Sequence, residues 1–282
     1  MRPVHYIAII GVLAAAAALF YFGNTKPPKP KEQKQLTMEE AAAMQHSHVQ
    51  PASFDSIHTA AKQALPAHAQ EEVAAMEQTL SGKADSAAMV ADFEALAKIW
   101  QEHKQLPVAA YYYLLAGKLD NSEKKLTFAA QLFLDLARKS TSESVQAWEG
   151  HMAIEGFQRI LAINPDNDTA TVNLAECYMG LGETMQGVFL LRDLTAKKPK
   201  NIPANLVLGQ QGIISGQLDK AMGRFQTVLD QDPENIEAML GIAEVYKNKG
   251  DKTKAIEVLE QAKKTMNHPD FSNDIDNYIK TF

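Results

Sequence analysis

The chain has few of the residues from which disulfide frameworks, metal sites and basic surfaces are built. A single cysteine, Cys177, among 282 residues excludes an internal disulfide framework and a multi-cysteine metal site. Aromatic residues make up only 7% of the sequence, and alternating β-branched runs are almost missing, so no strands are predicted. The net charge of −6 disfavours a function that depends on a basic surface for binding nucleic acid.

Catalytic signatures are missing as well. The sequence contains no glycine-rich phosphate loop, no His-Glu-x-x-His, no Gly-x-Ser-x-Gly and no paired-cysteine ligand set. The eight histidines are dispersed, and His46 and His48, two residues apart, would leave opposite sides of a helix. We therefore expect no enzyme activity, no catalytic residue, no cofactor and no metal site, and we expect Cys177 to be a buried packing thiol.

The sequence is rich instead in a pattern that recurs every 34 residues. The residues that keep this step are Pro165, Pro199, Pro233, Gly182, Gly216 and Gly250. Each unit between the prolines has one apolar-periodic segment before the glycine and one after it, which predicts two short helices joined by a turn. Glycine suits the end of the first helix because it enters the left-handed conformation at little cost. Proline suits the end of the second helix because it has no N–H to donate.

The pattern resembles the tetratricopeptide repeat, which has the form W-x-x-L-G-x-x-Y followed by an Ala, an aromatic, a small residue and a Pro. The resemblance implies an all-α fold, a helix-turn-helix solenoid. The positions that it identifies as repeat-packing residues are Ala97, Trp100, Ala109, Tyr113, Ala153, Phe157, Pro165, Leu174, Ala175, Tyr178, Gly182, Pro199, Leu208, Gly209, Gly216, Ala221, Phe225, Pro233, Ala243, Tyr246, Gly250 and Ala255. Two departures are that Gly212 replaces the usual Tyr and that the last proline slips to Pro269.

The repeats divide the carboxy-terminal part of the chain. We predict an array over 83–270, with repeats at 90–123, 124–167, 168–201, 202–235 and 236–269. The second repeat is longer than 34 residues, and we expect the region from Lys139 to Val145 to lengthen its helices or its turn. A tolerated insertion on one face and an added functional element are both compatible with this irregularity.

An apolar segment lies at the amino terminus. The 17 residues from Tyr6 to Phe22 carry no charge, and with about 1.5 Å per residue, extension to 4–22 reaches across a hydrocarbon core of about 30 Å. We predict an uncleaved signal anchor over 1–23. The alternative is a cleaved signal peptide, which the bulky aromatics at the end of the segment disfavour.

The membrane orientation follows from two conflicting signals. A Pro/Lys-rich linker over 24–36 carries more positive charge than the short tail with Arg2, which by the positive-inside rule would keep the domain in the cytoplasm. A short tail before an apolar segment, however, behaves like an uncut export signal. We expect a single-pass protein of a bacterial inner membrane with its soluble domain in the periplasm, held off the bilayer by the extended linker.

Residues 37–82 predict helices that do not follow the repeat. Thr37 and Glu40 resemble a capping box, Ser53 or Asp55 can cap a helix to about residue 65, and Pro66 breaks it. We expect these helices to cap the first repeat or to pair with another subunit in a homodimer.

The first helices of the last three repeats are expected to line a groove. The inward positions that the family resemblance indicates, here called the predicted groove, are Val172, Glu176, Met179, Leu206, Gln210, Ile213, Leu240, Glu244 and Lys247. The set predicts an apolar row beside a row of acidic and amide groups, suited to an apolar and basic peptide or helix. An equal alternative is that the apolar row is covered in the native protein. It lacks the Lys, Asn and Arg that chaperone-binding members use to hold a carboxylate. Residues 271–282 predict an amphipathic helix that caps the array or lies in the groove of a second molecule.

The layout predicts a membrane-anchored scaffold that binds an unidentified protein partner, not nucleic acid. Envelope protein export or complex assembly is one setting, since the periplasmic ancillary subunit of the bacterial translocon is similar in layout. A self-associating structural protein and an apoprotein adaptor of the cytochrome c maturation type are the alternatives.

Overall fold

The computed structural model describes residues 49–80 and 86–282, which form thirteen helices and contain no strand. This confirms the all-helical fold predicted from the repeat. The helices are α1 Phe54–Gln63, α2 Ala67–Leu80, α3 Ser86–Glu102, α4 Leu106–Asp120, α5 Glu123–Lys139, α6 Glu143–Ile163, α7 Asp168–Gly180, α8 Thr184–Lys197, α9 Ile202–Ile214, α10 Leu218–Leu229, α11 Ile236–Asn248, α12 Lys252–Met266 and α13 Pro269–Ile279.

The predicted anchor over 1–23, the linker over 24–36 and the capping box at Thr37 lie outside the described residues. Among the helices α1 to α13, none combines the length and apolar character needed to cross a bilayer.

Helices pack in sequence order from α3 to α12, and each of the last three pairs turns on a glycine. Gly182, Gly216 and Gly250 have φ values of +82°, +70° and +81°, the left-handed region in which a side chain is disfavoured. The predicted role of the recurring glycine is therefore confirmed.

A second set of end signals fixes where the first helices begin. Asn167, Asn201 and Asn235 each accept a hydrogen bond from the backbone N–H three residues on, at 2.9, 3.0 and 3.0 Å. These side chains satisfy an N–H group that the first turn of a helix leaves without a partner. The three asparagines also keep the step of 34, so the sequence carries this signal although the repeat pattern alone did not use it.

Phe225 is the centre of packing in the carboxy-terminal repeats. Its side chain is 1% exposed and lies between α9 and α11. A Cβ at Gly209 would come within 2.7 Å of the Phe225 ring, and a Cβ at Gly241 would overlap the ring outright. The two glycines therefore let the ring of α10 approach both neighbouring first helices.

The second repeat is irregular because its helices are long. α5 has 17 residues and α6 has 21, whereas α7 to α12 have 12 to 15. Only residues 140–142 separate α5 from α6. The insertion around Lys139 thus lengthens helices, one of the two outcomes that the spacing predicted.

Helix α1 lies against the first two repeats. Ser53 caps it as predicted, accepting a hydrogen bond from the Ser56 N–H at 3.2 Å. The Phe54 ring stacks on Tyr111 of α4 with a centroid distance of 3.8 Å, and the Ala52 N–H donates to the carbonyl of Ser144 at 2.8 Å. These contacts attach α1 to both α4 and α6.

A partly buried carboxylate joins α1, α2 and α4. Glu77 lies 2.6 Å from His58 Nε2 and accepts hydrogen bonds from Lys62 Nζ and the Tyr112 hydroxyl, both at 3.0 Å. Burial alone would raise the pKa of Glu77, but the hydrogen bonds from His58, Lys62 and Tyr112 outweigh it and lower the pKa to about 2. Glu77 is therefore the polar connection between the non-repeat helices and the array.

Candidate partner-binding surface

The apolar row of the predicted groove belongs largely to the protein core. Val172 is 5% exposed and Leu206 is 8% exposed. Met179 packs in the same cluster as Val172, and Ile213 in the same cluster as Leu206. Val172 and Leu206 are therefore not open to a partner, because adjacent repeats close over these positions, which agrees with the alternative that the apolar row is covered in the native protein.

Leu240 is also partly covered, and the helix that covers it is α13. Leu240 packs in a cluster with Ile275 and Tyr278 of that helix. This end of the predicted groove is thus occupied by the chain's own carboxy-terminal helix.

The two charged members of the predicted groove on α11 are held by the same helix. Lys247 Nζ lies 2.8 Å from the Tyr278 hydroxyl and 4.3 Å from the centroid of its ring, and that hydroxyl donates to Glu244. A cation above an aromatic face is attracted by the ring electrons. Glu244 and Lys247 therefore orient α13 in this structure.

Glu176 is half-buried where α5 meets α7. Arg138 of α5 forms an ion pair with Glu176. A second contact joins the same two helices, since the Asn173 amide of α7 donates a hydrogen bond to Gln131 of α5 at 3.0 Å. Burial raises the pKa of Glu176, Arg138 opposes this effect, and nearby Glu237 of α11 adds to it. The carboxylates of α7 and α11 are therefore close enough to create a shared acidic field.

Gln210 is the member of the predicted groove that stays exposed. An exposed apolar residue, Ile214, lies next to it on α9, and the repeat pattern did not identify this residue. Ile214, one helical turn later on α9, is 69% exposed. An isoleucine just before the turn glycine reads as an ordinary packing residue in sequence, so its exposure is visible only in the structure. The first-helix face is defined here as the side of α7, α9 and α11 that carries Glu176, Gln210 and Glu244. Gln210 and Ile214 form the exposed centre of this face.

Comparison with known proteins agrees with the helix pairing. The model of a family described as tetratricopeptide repeat matches residues 152–210 and 213–272. These residues are therefore similar to tetratricopeptide repeats. The match runs from α6 into α13, whereas the repeats at 90–123 and the start of 124–167 rest on the pattern and on the packing of α3 to α6.

One named relative matches about half of this chain. Protein CTR9 homolog of Arabidopsis thaliana is 30% identical over 153 residues, which are 52% of this chain and 13% of that protein. The chain thus spans only a small part of the curated relative that it matches.

Solved structures of two repeat proteins are similar to this chain at low identity. A tetratricopeptide repeat protein from Parabacteroides merdae is 17% identical and has a TM-score of 0.51, with 67% of this chain and 72% of that chain covered. A thermophilic repeat protein from Thermus thermophilus is 19% identical with a TM-score of 0.49, covering 67% and 97% of the two chains. The likeness concerns fold alone.

Two buried groups in the repeats have no part in the first-helix face. Cys177 is 3% exposed, and burial, followed by the charge of Glu176, raises the pKa of its thiol to about 12. It is a packing residue in the repeat, as predicted.

Glu149 of α6 is 3% exposed, and its Oε2 has no hydrogen-bond partner. Burial raises the pKa of this carboxyl to about 7, although a hydrogen bond with Ser140 opposes the shift. Glu149 therefore changes its protonation state near neutral pH beneath the short α5–α6 connection.

Proposed function

We propose that this chain is a non-enzymatic scaffold whose repeats hold a segment of a partner protein against the first-helix face. The observation that carries the proposal is the 69% exposure of Ile214 beside Gln210, in the middle of the only three consecutive repeats with strict spacing. An exposed apolar side chain between polar neighbours is a typical anchor point for a partner.

The charges around this anchor favour a segment with apolar and basic side chains. Glu176 and Glu237 lie on the helices to either side of α9 and influence each other electrostatically. Because Glu176 is already paired with Arg138, a partner lysine or arginine would pair with the exposed Glu237 while an apolar side chain contacts Ile214. The buried Val172 and Leu206 support the face from behind and do not touch the partner.

Site-specific photocrosslinking tests the position of the partner. A photoreactive amino acid at Gln210 is expected to form an adduct with a partner protein in cells, and the same amino acid at Gln261, an exposed glutamine of the second helix α12, is not. Adducts of the same size and yield from both positions would contradict the proposal.

Two isoleucines provide a matched pair of variants. Ile214 ends α9 and Ile163 ends α6, with exposed fractions of 69% and 40%. We expect Ile214→Ser to reduce the adduct at position 210 by about tenfold, which corresponds to about 1.4 kcal/mol of binding free energy, and Ile163→Ser to leave it unchanged. Equal effects of the two variants would show that Ile214 is not an anchor.

The membrane anchor and the periplasmic location are part of the same proposal. They are supported by the apolar residues 4–22 and the Pro/Lys-rich linker in the sequence. Resistance to alkaline carbonate extraction, lost on deletion of 1–23, tests the anchor, and protease access in spheroplasts tests the orientation. Digestion only after the inner membrane is opened would overturn the periplasmic location.

For the pathway, we propose envelope protein export or complex assembly. Purification of the intact chain from solubilised membranes tests it through the proteins that accompany the chain and depend on Ile214. Translocon or chaperone proteins would support this setting, haem-ligase components would support an adaptor in cytochrome c maturation, and recovery of the chain alone as a dimer would support self-association.

A further inference from the structure

A second surface lies on the other side of α9, where one repeat lacks a side chain that its neighbours have. Gly212 occupies the position that Tyr178 and Tyr246 hold 34 residues before and after it. The Tyr178 hydroxyl accepts a hydrogen bond from Gln158 of α6 at 3.0 Å, and Tyr246 packs against the apolar cluster that contains Phe225 and Val228 of α10. In both neighbours the tyrosine therefore fills the space between a first helix and the preceding second helix.

Gly212 has no side chain to place in this space and is itself buried, with Ala221 of α10 next to it. A cleft of about 310 Å³ lies between α8 on one side and α9 and α10 on the other, and Gly212 is part of its lining. Its apolar wall includes Val188 and Leu208. We refer to it as the α8/α10 cleft.

The charged groups that line the α8/α10 cleft are all positive. They are Arg192 of α8 and Lys220 and Arg224 of α10. Among the described residues, no carboxylate forms an ion pair with either arginine, although ion pairs are frequent elsewhere in the array. Two guanidinium groups facing one space without a counter-charge favour an anionic ligand.

Arg224 is held in place for such a role. Its Nη1 donates to Oδ1 of Asn205 at 3.0 Å, and Asn205 is fully buried. The Asn205 amide in turn donates to the carbonyls of Pro199 and Asn201 at 2.9 and 2.8 Å. Burial, and then the charge of Arg192, lower the pKa of Arg224, which is consistent with two cations in proximity. A guanidinium oriented by a fixed amide loses less freedom when it binds an anion.

We propose that the α8/α10 cleft binds a peptide segment of a partner in which a carboxylate side chain stands next to an aromatic residue. The aromatic ring occupies the apolar part of the cleft and contacts Val188 and Leu208. The carboxylate pairs with Arg192 and Arg224. This site is separate from the first-helix face, because residues 208, 212 and 215 lie on the opposite side of α9 from residues 206, 210 and 213.

Binding of synthetic peptides to the full chain in detergent micelles tests the proposal. The probe is fluorescein-labelled Gly-Glu-Phe-Glu-Gly with blocked ends, compared with Gly-Gln-Phe-Gln-Gly and Gly-Glu-Ala-Glu-Gly. Fluorescence polarisation is expected to show saturable binding of the first peptide below about 1 mM and at least about tenfold weaker binding of the other two. Absence of binding of the first peptide at that concentration, or equal binding of all three, would overturn the proposal.

Charge variants show whether binding occurs in the cleft. Arg192 is exposed, so Arg192→Gln is expected to fold normally and to weaken binding about tenfold. Lys264→Gln, which removes one exposed positive charge on α12, is the matched control and is expected to change affinity less than about twofold. Equal loss in both variants would indicate only a general charge effect and would contradict the site.

A filling variant tests the volume. Gly212→Tyr restores the tyrosine of the neighbouring repeats and is expected to abolish peptide binding, with the helical circular dichroism retained. A Cβ at 212 lies 3.0 Å from the Cβ of Ala221, so the variant can disturb the packing of α9 on α10. Its binding result is used only if its unfolding transition is as cooperative as that of the wild type. If it is not, the result with Arg192→Gln tests the proposal alone.

Inorganic phosphate is a further competitor. If phosphate displaces the labelled peptide at equal concentration, the cleft is a general anion site and the peptide assignment is wrong. Crosslinking at Gln210 is independent of all these outcomes, so a failure of this proposal is distinguishable from a failure of the proposed function.

Discussion

Helices α1 to α6 add contacts between aromatic rings to the close glycine packing that they share with helices α7 to α12. In the carboxy-terminal repeats, small residues such as Gly209 and Gly241 let one large ring, Phe225, approach two helices at once. In the amino-terminal part, several aromatic rings contact each other: Phe54 stacks on Tyr111, and Trp148 meets Phe133 edge to face at 5.3 Å.

The difference follows from helix length. Repeats of uniform length can use one set of small and large positions again and again, whereas α5 and α6 are too long to follow that set. The amino-terminal helices also have close glycine contacts, for example at Gly156, and they add aromatic contacts, the partly buried Glu77 and the buried Glu149. We expect the stability of the carboxy-terminal part to depend on close packing. The stability of the amino-terminal part should depend also on the protonation of its carboxyl groups.

The largest effect is expected from removal of the ring at the centre of the carboxy-terminal repeats. Phe225→Ala leaves a cavity next to two glycines that cannot fill it, and should lower the free energy of unfolding by about 3 to 5 kcal/mol. Urea unfolding followed by circular dichroism measures this. Phe128→Ala is the control, since Phe128 is 51% exposed, and it should cost less than about 1 kcal/mol. Similar losses would contradict the central role of Phe225.

A smaller effect on stability is expected from Glu149 in the amino-terminal part, whose Oε2 has no hydrogen-bond partner. The pKa of Glu149 is raised from 4.5 to about 7 in the folded state, so that this state binds more protons than the unfolded chain between those values. The contribution of Glu149 to stability is therefore complete below about pH 4.5 and is lost as the pH rises through 7, by on the order of 2 to 3 kcal/mol.

Glu149→Gln tests this dependence because the amide cannot ionise. The variant should be more stable than the wild type at pH 8 and should lose that advantage at pH 5, as measured by urea midpoints at both pH values. Glu257→Gln, at an exposed position of α12, is the control and should follow the wild type. A wild-type midpoint that rises between pH 5 and 8 by an amount that Glu149→Gln removes would contradict the sign.

The lowered pKa of Glu77 predicts a pH dependence of stability opposite in sign to that of Glu149. Its pKa is lowered from 4.5 to about 2, so its stabilising contribution is present above pH 4.5 and is lost as the pH falls towards 2. Glu77→Gln should cost about 2 kcal/mol at pH 7, since the amide retains hydrogen bonds but loses the charge that holds Lys62 and His58. In the Glu77→Gln variant, amide hydrogen exchange should become faster in α1 and α2 and should change less in α7 to α12. Uniform loss across all helices would contradict a local role.

The smallest effect compares two glycines of the carboxy-terminal repeats. Gly250 has a φ of +81°, and Gly250→Ala should cost about 1 kcal/mol because a Cβ is unfavourable there. Gly223 lies inside α10 with no atom within 4 Å of an added Cβ, so Gly223→Ala should stabilise by about 0.5 to 1 kcal/mol. Thermal unfolding of both variants measures the difference, and the same sign for both would contradict the assignment of Gly250 to a left-handed turn.

The repeat could be predicted because its signals are local. A glycine that ends a helix and a proline that follows one act within a few residues of sequence, and the asparagine caps at Asn167, Asn201 and Asn235 would have strengthened the prediction. The tie between Glu77 and Tyr112 could not be predicted in this way, because it joins residues 35 apart in a part without the repeat.

The candidate site was less accessible from sequence. Exposure of a first-helix residue depends on how closely the next helix approaches, and this distance decides that Leu206 is buried while Ile214, eight residues later, is open. The replacement of Tyr by Gly212 was visible as a departure from the repeat. Its consequence, a cleft lined by arginines from two helices, required the positions of α8 and α10.

The burial of Cys177 has a practical consequence for spectroscopy. With one cysteine in 282 residues, and a thiolate that hardly forms because its pKa is about 12, the native protein should react very slowly with maleimide or iodoacetamide reagents. A cysteine introduced on the surface can then carry a fluorophore or a nitroxide label by itself. Distances between any two chosen helices could be followed in an otherwise unaltered chain.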